Sequence, residues 1–526
     1  MPSFTVEPGM FYSTTYVQFK IPEGTQVYYT NDGNIPTENS IPYEEGQKVE
    51  VKFTSVLRAR AYSAGNKRPS DVLTGTFFIN IGHTLPVVSI TADRDVLFNK
   101  ETGILVTGDD VVKVPGKLPF KNTIYRKIKD SGQMFECYVE MYDDSGNKII
   151  SQGAAFALMG SYSLDMPQKS FKFRAKSKYG PKTFEAQLFP DRPYTEYKTF
   201  VLRNSGNDSM WTRLADGFQS RLMDYVGTSV AHQAWKPYAV YLDGQYWGHM
   251  NLREKADRFL IAQFEGLTLD EADNMVIMEG SGKRAKYGTK EDANAYKAMV
   301  KKIKNSDPEK NPEDRQYILD NIDVDNFFEY MAFEMYFGNS DIGNTRYYRL
   351  KKEGSKWKWL LYDVDYGLFN SNFNSPKSYM KPQGMGDQKI DNTIFRKLMS
   401  VPEFKDRFMT IYGNIFKKLS GKVMVDGREK SAMMDILDNL VELIRPEMKH
   451  HWDLWGELND KNVIEEVPVT ADGAYRYWEK RVERLRNVIR KRPTLLWQFT
   501  QDVFNLSNEE MEKYFGPKPE MPPEAV

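Results

Sequence analysis

Oxygen-bearing side chains crowd one stretch of this 526-residue chain. Asn339-Ser340-Asp341-Ile342-Gly343-Asn344 comes first, and Asp363-Val364-Asp365-Tyr366-Gly367 follows some twenty residues later. The carboxylates of Asp341, Asp363 and Asp365 and the amide of Asn344, with no His or Cys beside them, suit a hard cation such as Mg²⁺, with Mn²⁺ as the alternative. Phosphoryl transfer uses such a set. One Asp accepts or orients the acceptor hydroxyl, while an Asn a few residues on and an Asp beyond a hairpin hold metal that bridges phosphates. The competing reading is a polar loop with a solvated acidic strand end, because Asp and Asn are common loop residues.

Chain elements must bring these groups together. Apolar periodicity predicts a helix over 324–337 that ends near Gly338. A strand over 346–350, a turn at Lys352-Glu353-Gly354 and a strand over 356–362 follow, with Trp357, Trp359 and Leu361 alternating on one face. Pairing about residue 353 sets Asn344 opposite Tyr362 and Asp341 opposite Asp365, which gathers the four groups at one end of a hairpin.

Strand signals dominate before this segment and helix signals around and after it. Strands are expected across 134–174, with a turn at 143–147, and in a hairpin over 238–252 turned by Asp243-Gly244. Helices are expected over 255–264, 290–305, 392–399, 424–448 and 474–490. That order suits an α+β bilobal body over 83–515 with a cleft between lobes. Residues 1–82 read differently, with short alternating segments between turns such as Asn31-Asp32-Gly33 and Gly65-Asn66. They predict a small all-β sandwich of immunoglobulin type. Residues 516–526 form a Pro-rich, extended or disordered tail.

Bulk composition excludes several classes. Lys+Arg and Asp+Glu both total 72, so no global basic field exists to hold nucleic acid. No apolar run is long enough for a transmembrane helix. A single cysteine, Cys137, rules out an intrachain disulfide, and with five His it argues against a thiolate zinc site. His450 and His451 read as surface residues. The N-terminus, Met1-Pro2-Ser3-Phe4-Thr5, shows neither the charged nor the apolar part of a signal peptide.

Two resemblances add to this reading. Tyr28-Tyr29-Thr30-Asn31-Asp32-Gly33-Asn34-Ile35-Pro36-Thr37, with 57–62 and Pro69-Ser70, resembles the chitobiase/β-hexosaminidase C-terminal-type modules. That implies an immunoglobulin-like accessory module on a secreted polypeptide, with contact to a cell-surface glycan as one role and a passive spacer as the other. Asn339-Ser340-Asp341, Asn344 and 357–367, together with 167–172, 202–208, 244–248 and 252–255, resemble the spore-coat protein H (CotH) family over about residues 85–495. The resemblance implies an atypical kinase-like fold that uses ATP and Mg²⁺ to phosphorylate protein Ser or Thr outside the cytoplasm of a bacterium, whether secreted, at the cell surface or in the periplasm. Under it Asp341 is the catalytic Asp, and Asn344 and Asp363 hold metal with Asp365 near them. Lys169 or Lys172 reaches the nucleotide phosphates, and Glu254 orients a lysine or faces the nucleotide. A solvated strand position for each lysine and a helix N-terminal charge for Glu254 are the plainer alternatives. Gln168 stands where the family commonly shows a lysine, and no Gly-rich phosphate loop is evident, with Met159-Gly160-Ser161 the nearest candidate.

Three functions compete. The first is an active Ser/Thr kinase. The second is a catalytically inactive kinase-like scaffold, or a surface protein that binds glycan or protein, since function lives in sites rather than folds. The third is a glycoside hydrolase that uses Asp363 and Asp365, which on a strand would share a face at about 7 Å.

Overall fold

A computed structural model of the chain describes residues 1–63, 65, 68–114, 117–280, 282, 284–341, 343–381, 392–457 and 470–522. The expected turn residue Asn66, Ile342 of the acidic loop and the last four residues of the tail lie outside these. Two compact units emerge: Met1–Ser209 with Lys236–Arg253 and Leu443–Tyr477, and Met210–Trp235 with Glu254–Glu442 and Trp478–Val526.

In the first unit the N-terminal residues form a β-rich module. Its main sheet runs Gly9–Phe11, Leu73–Ile79, Ser55–Tyr62, Gln26–Thr30 and Ile41–Tyr43 in spatial order. Thr15–Val17 pairs with Val49–Val51. Val17, Val49 and Val51 share one core with Val27, Tyr29, Leu57 and Phe77 of the main sheet. The inward alternation that made these segments legible is thus a core closed from two sides.

The same unit holds a closed barrel of seven strands: Val87–Thr91, Phe135–Tyr142, Lys148–Met159, Ser170–Arg174, Thr199–Arg203, Gln245–Glu254 and Trp235–Leu242. Val87–Thr91 closes it, antiparallel to Phe135–Tyr142 and parallel to Trp235–Leu242. The last hairpin turns on Asp243 (φ 47°) and Gly244 (φ 75°), the left-handed pair that a two-residue hairpin loop requires. Module and barrel share apolar contacts, with Phe78 of the module edge-on to Tyr142 and Tyr241.

A buried acid also joins them. Glu140, in Phe135–Tyr142, is 1% exposed. Thr76 donates to its Oε2 from the backbone N at 2.8 Å and from the hydroxyl at 2.6 Å. Those bonds favour the carboxylate, yet burial outweighs them and pushes the carboxyl up to about 7. An acid raised in the folded state binds its proton more tightly there than in the unfolded chain. Stability should therefore be greatest below about pH 4.5 on this account, fall as pH rises to about 7, and level off above. Asp243 and Glu334, also pushed up to about 7 by burial, slope the same way. Glu140→Gln is expected to remove its share of the slope between about pH 4.5 and about pH 7, read from urea unfolding. An unchanged slope would count against the assignment.

The second unit is built on a five-stranded sheet in the order Ala231–His232, Lys358–Leu361, Arg346–Leu350, Met275–Glu279 and Ala285–Tyr287. Helix Arg258–Phe264 covers one face, where Leu260 and Ile261 pack with Tyr348 and Leu360. Helix Val324–Phe337 covers the other, with Phe327 4.2 Å from the Trp359 ring and Asn326 Oδ1 accepting from Trp359 N at 2.7 Å. Both faces are covered, so Leu360 and Leu361 are both buried. Helix Pro402–Ser420 packs behind, with Phe408 against Phe328.

Several elements depart from expectation. The span 424–448 is not one helix, because Lys422–Val425 and Arg428–Ser431 form a hairpin before helix Ala432–Trp455 begins. Its turn is Asp426-Gly427, both at positive φ, an Asp-Gly signal that the apolar periodicity obscured. The last long helix runs Ala471–Phe504, well beyond 490 and through Pro493. The first helix after the barrel starts at Arg258, where the Asp257 side chain accepts from Phe259 N as a cap. His451 is wholly buried rather than on the surface, and its Nδ1 accepts from His249 N. The tail is tied down as far as Glu520, whose carbonyl accepts from the Thr494 hydroxyl. Among the described residues no helix is long and apolar enough to cross a membrane.

Candidate active site

A helix end leaves its last carbonyls without intrahelical partners, and the fate of those carbonyls builds this site. Val324–Phe337 stops at Gly338, which takes the left-handed conformation (φ 61°) and donates its N–H to Glu334 O. Met335 O accepts from Arg492 Nη2 at 2.7 Å and from the Ser375 hydroxyl. Tyr336 O accepts from Arg492 Nε at 2.9 Å. Phe337 O accepts from Leu368 N at 2.6 Å. One helix terminus therefore holds both loops: 338–345 grows from it directly, and 363–368 is bonded back to it.

The hairpin between those loops has the expected register, with Arg346 opposite Leu360 and Tyr347 opposite Trp359, which centres the turn on residue 353. Beyond the paired residues the acidic groups meet. Asn344 Nδ2 donates to Asp341 Oδ2 at 2.9 Å and to Asp363 Oδ2 at 3.0 Å. Asn339, buried, accepts from Asp341 N at 3.1 Å and shapes the loop as an Asx turn. Burial, and next the charge of Asp363, raise the Asp341 carboxyl above its usual range against the lowering bond from Asn344.

Asp363 sits at φ 57°, so the chain leaves the strand, which ends at Leu361. Asp365 is 2% exposed while Asp363 is half-buried. The strand geometry that would place these two carboxylates on one face, as the hydrolase reading needs, is therefore absent. Gln219 clamps the loop, its Nε2 donating to Val364 O at 2.6 Å and to Gly367 O at 3.3 Å. A Cβ at Gly367 would lie 2.1 Å from Gln219 Oε1, which explains a glycine there.

Glu254, Lys169 and Lys172 come from outside the two acidic loops. Glu254 is buried at the end of strand Gln245–Glu254, not at a helix N-terminus, and its Oε2 accepts from Ala234 N at 2.8 Å. Lys169 and Lys172 belong to the first unit. Lys169 is buried, donates to Met166 O at 2.7 Å and stands 4.2 Å from the centre of the Tyr125 ring. Lys172 lies half-buried in the barrel strand Ser170–Arg174.

Three groups that shape the site escaped the sequence reading. Arg492 and Gln219 come from helices remote in the chain, with no local motif. Glu334 sits one turn before the helix end, accepting from Tyr330 OH and Tyr379 OH at 3.0 Å each. Its burial was concealed because it reads as one more polar position in an otherwise apolar helix. Among the described residues no group of three or more His, Cys, Asp or Glu side chains is placed to hold a metal by itself. A Mg²⁺ that takes one or two carboxylates and completes its shell with phosphate oxygens and water needs no such group.

The fold and the site together define a β-module joined to a large α/β domain whose acidic loops converge on one helix end. The family model described as CotH kinase protein matches residues 156–496, and that described as Chitobiase/beta-hexosaminidase C-terminal domain matches residues 6–74. The chain belongs to the CotH kinase protein family and carries an N-terminal module of the chitobiase/β-hexosaminidase C-terminal type. No curated protein matches it.

Proposed function

We propose that this protein is an atypical, bilobal kinase-like enzyme that transfers phosphate from ATP to Ser or Thr of a protein, with Mg²⁺ or Mn²⁺ as cofactor. The observation that carries the reading is the Asn344 amide seated between the carboxylates of Asp341 and Asp363. Two acidic groups that converge on one donor form a seat for positive charge, and oxygen-only donors match a hard cation. Asp363 and the amide oxygen of Asn344 are the residues to hold that cation, with Asp365 near them. Mg²⁺-ATP, when bound, supplies the transferable phosphoryl group and neutralises its charge. Asp341 is then the group that takes the proton of the acceptor hydroxyl. Lys169 or Lys172 as a phosphate contact and Glu254 as a positioning group belong to the same reading.

An extracytoplasmic location and contact between the N-terminal module and a cell-surface glycan also go with it. Tyr12 and Phe53 support the glycan contact. They are 98% and 79% exposed, and the bonds Asn80 N to Phe11 O and Ile79 N to Thr54 Oγ1 bring their segments to one end of the sheet.

The test is the melting temperature with and without Mg²⁺-ATP, on the wild type and on Asp363→Ala. Ligand at about 100 times its dissociation constant stabilises by about 2.7 kcal/mol. The wild type should shift upward and Asp363→Ala should not. No shift in either protein at millimolar ATP would favour the inactive scaffold.

A further inference from the structure

The second unit holds a cavity of about 280 Å³ that the proposed transfer site does not use. Its walls are aromatic: Tyr296, Phe327, Tyr330, Tyr347, Trp359 and Phe395. The hydroxyls in the wall are engaged within the protein. Tyr330 and Tyr379 donate to Glu334, and Tyr347 donates to Gly280 O at 3.3 Å. Ring surface therefore makes up most of what faces the cavity, beside Thr345, Asn392 and the rim lysines, and a ligand with a polar edge finds few partners there. A cavity of about 150 Å³ already accepts benzene, so this one has room for a Phe, Tyr or Trp side chain.

The rim carries charge. Lys297, Lys301 and Lys304 line it from helix Lys290–Asn305, at a spacing that aligns them on one face. All three are exposed, and none has an ion pair among the described residues. The acids of that helix, Glu291 and Asp292, stand in its first turn. Three cations along a line of about 10 Å match the reach of roughly three residues of extended chain.

We propose that this cavity is a docking pocket for an aromatic side chain set in an acidic peptide segment of a partner protein. A nucleotide also joins a ring to negative charge. Its base, however, presents a polar edge to walls whose hydroxyls are already bonded. The pocket adjoins the acidic loop, because Thr345 lines it and follows Asn344 directly. Its use for an acceptor protein rests on the phosphoryl-transfer reading, but binding of the peptide does not.

Fluorescence anisotropy on the intact protein without nucleotide tests this. The probe is a labelled ten-residue peptide, rich in Asp and Glu, with one central Phe. Its counterpart with Ala at that place should bind on the order of tenfold to a hundredfold more weakly, from the lost burial of the ring. A variant combining Lys297→Glu, Lys301→Glu and Lys304→Glu, all at exposed positions, should bind at least about tenfold more weakly than wild type, as like charges replace opposite ones. Asp363→Ala should bind as wild type does, so a failed transfer site and a failed pocket give different results. Equal affinity for the two peptides, undiminished binding by the triple variant, no binding of the Phe peptide, or its displacement by millimolar ATP would each overturn the proposal.

Discussion

Asp341→Ala should slow phosphoryl transfer by on the order of 10²–10⁴ while the Mg²⁺-ATP-dependent rise in melting temperature survives. The magnitude is that of a lost general base, and the geometry explains the selectivity. Asp341 and Asp363 share the Asn344 amide but belong to different loops, each fixed by its own contact to the end of helix Val324–Phe337. Removal of the Asp341 carboxylate leaves the bond from Asn344 to Asp363 in place. Asp363→Ala removes a cation ligand and should abolish the shift as well as turnover. The pair of variants therefore separates proton transfer from nucleotide binding. Undiminished turnover in Asp341→Ala would sink its catalytic assignment.

Arg492→Met should give the largest loss of stability, about 3–5 kcal/mol by urea unfolding. The guanidinium is fully buried, and burial holds it down to about 10, well below an exposed arginine. It faces five acceptors: the carbonyls of Met335, Tyr336, Ser371 and Phe373, and the Ser375 hydroxyl oxygen. Taking away a desolvated cation is favourable by itself. The loss exceeds that gain because several carbonyls stay buried with fewer donors, at about 1–3 kcal/mol for each one orphaned. The helix also loses positive charge at its negative end. Arg492→Lys should recover only part, since one ammonium cannot reach acceptors that a planar fork spans. Because the same helix end carries the Asp341 loop, Arg492→Met should also weaken the Mg²⁺-ATP shift. A loss below about 1 kcal/mol would show that water replaces the lost donors.

What could be read from the sequence was local. The helix over 324–337, its stop at Gly338, the strand 346–350 and the hairpin register about residue 353 all follow from periodicity and turn chemistry within some forty residues. That register brings the loops that carry Asn344 and Asp363 to one end of the hairpin. The β-module and the Asp243-Gly244 hairpin were legible for the same reason, because alternation and left-handed turn residues act over neighbouring positions. Where two local signals competed, the reading failed: apolar periodicity over 424–448 masked the hairpin at Asp426-Gly427. Asp363 left the strand because its backbone turns left-handed, which no residue pattern required of an Asp.

Tertiary structure decided the rest. The closure of seven strands into a barrel depends on Val87–Thr91 finding Trp235–Leu242 across some 150 residues. The clamps on the two acidic loops, Arg492 and Gln219, come from helices far away in the chain. The elevated carboxyls of Glu140, Asp243 and Glu334 arise from burial, which is a property of packing and not of neighbours in sequence. The sequence by itself determined which groups could do chemistry and the hairpin that gathers them. Only the folded chain determined how rigidly they are held, because orphaned carbonyls and desolvated charges exist only once distant segments have packed.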